Sequence, residues 1–95
     1  EDARRMHEAE VRGYLADYDG AQRRIERFER VLLPLARERR EFALAAYRGG
    51  RGELAPVLEA ERGVTETELA LVQVLAERAK AWAALSYLDA HGEAK

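Results

Sequence analysis

One short stretch constrains this chain more than any other: Arg48-Gly49-Gly50-Arg51-Gly52-Glu53. Three glycines in four positions permit positive φ and end a helix in a left-handed cap. No other point carries so dense a stop signal. On either side lie segments of about equal length with the apolar period of a helix. The pattern predicts an all-α fold, a long antiparallel helical hairpin of coiled-coil type. It reads as a single unit over residues 1–95: helix one over about 3–48, a turn at 49–52, helix two over about 53–90. At about 1.5 Å rise per residue, segments of this length suit a reaching or spanning element.

In the first segment the apolar stripe runs Val11, Leu15, Tyr18, Ile25, Phe28, Leu32, Leu35, Phe42 and Ala46, in steps of three, four or seven. Val31, Ala36, Ala43 and Tyr47 widen it towards the turn. Gly13 and Gly20 each cost about 1 kcal/mol against alanine inside a helix. Pro34 removes a backbone hydrogen bond at a cost of about 3 kcal/mol. No loop-forming residue precedes it and the periodicity continues through it, so the expectation is a kinked helix.

The second segment has Pro56 in its first turn, where proline is tolerated. It then carries two adjacent stripes. One is Leu54, Leu58, Thr65, Val72, Leu75, Ala79 and Trp82; the other is Val57, Ala60, Val64, Leu71, Val74, Ala81, Leu85 and Leu88. One stripe can meet the first segment. The other is left for further helices packing alongside. His91-Gly92 reads as the end of the helix.

Composition narrows the function classes. The net charge is −2 with both signs well mixed, and the arginines of 23–40 are punctuated by Glu26, Glu29 and Glu38. No basic stripe remains for nucleic acid. There is no cysteine, hence no thiolate metal site and no disulfide. No run of 18 apolar residues is present for a transmembrane helix. A phosphate loop is absent, because Gly49-Gly50-Arg51-Gly52 lacks the spacing and the lysine. Ser86 is the only serine, so no hydrolase triad can be drawn. Paired carboxylates such as Glu59 with Glu66 and Glu61 with Glu68 read as salt-bridged helix surface. His7 and His91 fall together at the open end of the hairpin, where Glu8 or Glu93 could join them on a metal ion, but they read as separate surface residues. No enzyme, cofactor or metal site is expected.

The residues around the turn carry a resemblance. Ala46-Tyr47-Arg48-Gly49-Gly50-Arg51-Gly52-Glu53-Leu54-Ala55-Pro56-Val57-Leu58-Glu59-Ala60-Glu61-Arg62 resembles the second-repeat motif of TolC-like outer membrane efflux proteins, in the heavy-metal and multidrug branch. Val31-Leu32-Leu33-Pro34-Leu35-Ala36 is similar to a stretch upstream of that motif, and Leu85-Ser86-Tyr87-Leu88-Asp89 to the close of the return helix. The likeness covers about residues 24–88.

The resemblance implies a piece of a longer trimeric parent whose helical hairpins form a periplasmic tunnel leading into an outer-membrane β-barrel. The turn would then be the tip that meets a periplasmic adaptor protein. Tyr47 takes the place of the family's tip tyrosine and Gly50 that of its tip glycine. Two entrance carboxylates fall on Pro56 and Glu59, and only Glu59 keeps the acid. The basic residue of the family's tip network falls on Gly52, beside Arg51. The candidate docking residues are therefore Tyr47, Arg48, Gly50, Arg51, Gly52 and Glu53, with Glu59 as the channel-entrance candidate. The alternative is a stand-alone coiled-coil scaffold or protein-binding module.

Overall fold

The computed structural model describes residues 1–92, and all of the regular structure in that range is helical. Helix α1 spans Asp2–Arg27, a five-residue π turn follows at Phe28–Leu32, α2 spans Leu33–Arg48, and α3 spans Leu54–Gly92. Good helix formers fill these spans, and glycine is concentrated where helix stops. The chain forms two compact units, residues 25–72 and residues 1–24 with 73–92.

In each unit the outgoing and returning helices are antiparallel, because partner numbers fall as the others rise. In the first-named unit Arg37 faces Glu68 and Arg40 faces Glu61. In the other, Arg24 pairs with Glu77, Gln22 with Arg78, and Tyr18 with Trp82. The fold is thus an all-α antiparallel helical hairpin.

Of the two stripes on α3, the one that meets the outgoing helix is Val57, Ala60, Val64, Leu71, Val74, Ala81, Leu85 and Leu88. Val57, Val64, Val74 and Ala81 are buried and the other four half-buried. With Thr67 and Arg78 they complete an unbroken alternation of three and four residues from 57 to 88, the seam of a coiled coil. Leu54, Leu58, Val72 and Trp82, from the other stripe, stay exposed.

The outgoing seam does not keep one register. His7, Val11, Tyr18, Ala21, Ile25, Phe28 and Leu32 are buried or half-buried and follow the same alternation, except that Tyr14 in the place between Val11 and Tyr18 is exposed. A strict continuation would place Leu35, Arg39 and Phe42 inside. Instead these are exposed, Phe42 by 78%, and the inward string after the π turn is Leu33, Ala36, Arg40 and Ala43. The stripe through Leu32, Leu35 and Phe42 is therefore not one inner face: Leu32 is half-buried and the other two are turned outward. The physical reason is the π turn. The Leu33 amide donates to the Phe28 carbonyl five residues back, so one extra residue is absorbed and everything downstream shifts by one position. Pro34 stands immediately after this turn, where its missing amide and its collision with the preceding turn are relieved by the wider coil.

Candidate functional site

The tip is built by glycine geometry. The Gly49 amide donates to the Ala45 carbonyl at 2.9 Å, closing α2. The Gly50 amide donates to Tyr47, and those of Arg51 and Gly52 both donate to the Ala46 carbonyl, at 2.9 and 3.1 Å. Gly50 has φ of 73°, the one positive value among the described residues, where a side chain is strained. At Gly52 a Cβ would lie 3.1 Å from the Ala46 Cβ, a tight approach that a side chain there would have to push back by a few tenths of an ångström. The Arg51 guanidinium lies over Gly49, 2.7 Å from where a Cβ would be.

Tyr47 is 45% exposed, and Arg48, Gly50, Arg51 and Glu53 are exposed. Gly52 is half-buried. All six tip residues named from the sequence therefore sit on or beside one five-residue turn, and five of them are open to solvent. Two arginines with an exposed aromatic ring offer bidentate hydrogen bonds to carboxylates and a flat apolar contact.

Glu59 is exposed on α3 and lines a groove of about 580 Å³ within residues 25–72. Glu66 and Arg39 are also on its wall, and Ala36, Ala43, Ala60, Gly63 and Ala70 give it small side chains. A Cβ at Gly63 would meet nothing within 4 Å. The groove is open because alanine faces alanine and glycine here.

Sequence reading missed how much large apolar surface is turned outward. In residues 25–72, α2 and the π turn expose Val31, Leu35 and Phe42, while a different helix, α3, exposes Leu54, Leu58, Leu69 and Val72. In the other unit a groove of about 640 Å³ is lined by Val11, Leu15, Trp82 and Leu85, with His7, Glu8, Arg12 and Asp89 among its polar residues. The signal for the α3 face was present as the second stripe. On α2 the signal was the widening of the stripe towards the turn, but the stripe alone does not say which of its residues face outward.

His7 and His91 do line one groove with Glu1, Arg4 and Glu8. His91 stacks on Tyr87 at 3.9 Å, and its Nδ1 lies 2.8 Å from the Tyr87 carbonyl. Among the described residues no group of three or more metal-ligating side chains converges, and Glu93 lies outside those residues. No helix among them is long and apolar enough to cross a membrane.

Comparison with protein-family models, with curated proteins and with solved structures found no match to this chain.

Proposed function

We propose that this chain is a protein-binding helical hairpin, a packing element that joins other helices along its flanks and offers its tip to a partner. One observation carries the reading: the largest side chains are outside. Phe42 is 78% exposed, Leu58 59% and Leu69 58%, while among the described residues five of the seven fully buried ones are alanine or valine, Ile25 and Leu33 being the others. A lone hairpin gains nothing from that arrangement, since exposed apolar surface lowers solubility. Two further helices covering the two faces would bury it. The faces of α2 and α3 within residues 25–72 differ in composition, so copies of such a hairpin would associate heterologously, in a row or a closed ring, rather than as a two-fold pair.

The test is sedimentation of the chain beside Phe42→Glu and Leu58→Glu. Concentration-dependent association in the parent chain, lost in both variants with helicity retained, supports the reading. A strict monomer at about 100 µM, where an interface of micromolar affinity would be filled, overturns it for self-association.

A finer form of the proposal rests on the resemblance of residues 46–62 and its flanking stretches. In it the hairpin is a periplasmic segment of the tunnel of a trimeric outer membrane efflux channel, and the tip docks a periplasmic adaptor. It is a transport part, with no catalysis and no nucleic-acid partner. Supporting it are the order of the motifs and a tip whose path favours glycine at 50, by its positive φ, and leaves little room for a side chain at 52. Tyr47, Arg48, Arg51 and Glu53 would make the contact, and Glu59 would stand in the wall of the entrance. In the full-length parent, Gly50→Val and Arg51→Glu should abolish crosslinking to the adaptor and resistance to the exported compound while assembly stays normal. Unchanged crosslinking in both would remove the tip from the contact.

A further inference from the structure

Helix α2 carries two apolar strings offset by a single residue. The first is Leu33, Ala36, Arg40 and Ala43, which faces α3; the second is Leu32, Leu35, Arg39 and Phe42, which prolongs the seam of α1. Each has an arginine at its third place and apolar residues elsewhere. They differ in bulk, since alanine in one corresponds to leucine and phenylalanine in the other. The π turn alone decides which string is inward, because it absorbs one residue between Phe28 and Leu33.

We propose that the π turn and Pro34 form a register switch: converting the turn to ordinary α-helix rotates α2 by one residue, drawing Leu35 and Phe42 inward and turning Leu33 out. Three features on the page fit a second register. The groove between α2 and α3 is open, walled by Ala36, Ala43, Ala60 and Gly63, and a Cβ at Gly63 meets nothing. A larger string can therefore be accepted. Arg39, which would move inward, already lines that groove, as do the carboxylates Glu59 and Glu66, so charges of opposite sign are present on its walls. The α3 seam has no skip from 57 to 88, so it matches a continuous heptad at least as well as an interrupted one.

Pro34 supplies the bias. In a continuous α-helix its ring meets the carbonyl of Arg30, and that carbonyl has no amide to accept from. The π turn in front of it avoids this. The proline thus holds α2 in the register that keeps Leu35 and Phe42 available on the surface, and the other register hides them.

The absence of native cysteine allows a direct reading. Phe42→Cys and Leu33→Cys are made singly, and thiol alkylation rates are measured at a dilution where the chain sediments as a monomer. With Pro34 present, Cys at 42 reacts fast and Cys at 33 slowly. Adding Pro34→Ala shifts the population, slowing the first and speeding the second by about tenfold. Adding both Pro34→Ala and deletion of Glu29 removes the extra residue. A continuous helix then places Leu33 inward by ordinary heptad spacing, and the original pattern returns. Unchanged rates with Pro34→Ala alone overturn the switch. Exposure of position 33 in the deletion variant overturns the register arithmetic behind it. Because the readout is made on the lone chain, it can succeed or fail whether or not the exposed face docks a partner.

Discussion

The rings of Tyr18 and Trp82 lie with centroids 6.2 Å apart and planes tilted by 50°, joining α1 to α3. Trp82 is nevertheless 62% exposed and is the only tryptophan, so its fluorescence reports this one contact. Tyr18→Ala should lower stability by at least about 1 kcal/mol, the worth of such a pair beyond the burial that the half-buried ring also loses. The emission of Trp82 should move to longer wavelength in the folded protein. An unshifted spectrum would mean that the pair is not formed in solution.

Burial rather than size should rank the core substitutions. Val74 is 2% exposed and Phe42 78%. Val74→Ala should cost about 2 kcal/mol by removing buried methyls and leaving a gap. Phe42→Ala should change stability by less than about 0.5 kcal/mol, although it deletes a whole ring. Urea unfolding of the two variants checks the order, and a larger loss for Phe42→Ala would contradict the register of α2.

The glycines divide into two groups. At Gly13 and Gly63 a Cβ meets nothing within 4 Å, so Gly→Ala should stabilise the lone chain by about 1 kcal/mol each through helix propensity. At Gly50, with positive φ, substitution by valine should cost about 1–2 kcal/mol. At Gly52 alanine must push against Ala46. Thermal midpoints should therefore rise for the first pair and fall at the tip. If Gly63→Ala raises the midpoint yet weakens self-association, that glycine serves a docked helix rather than the hairpin.

The cross-helix ion pairs should matter little for stability. Arg24 and Glu77 are joined at 2.9 Å, but both side chains are more than half exposed. Glu77→Gln should cost no more than about 0.5 kcal/mol and become neutral in high salt, which denaturation at two ionic strengths would measure. A loss of several kcal/mol would require the pair to be desolvated by something packed over it.

The antiparallel hairpin was legible in the chain itself. The cluster of glycines at 49, 50 and 52 stops the helix through local backbone freedom, whereas the isolated Gly13, Gly20 and Gly63 stay inside helices. Apolar periodicity on either side needs no tertiary information to be read as helix. The candidate tip residues could be named for the same reason, since a turn exposes whatever it contains. Tertiary structure decided which stripe of α3 is the seam, because Val57–Leu88 and Leu54–Trp82 have the same period and only the partner's surface separates them. It also decided that Leu35 and Phe42 face out. A π turn is a difference of one hydrogen-bond step between Phe28 and Leu33. Pro34 announces an irregularity in the helix but not its kind, and only packing against an uninterrupted α3 makes the extra residue visible.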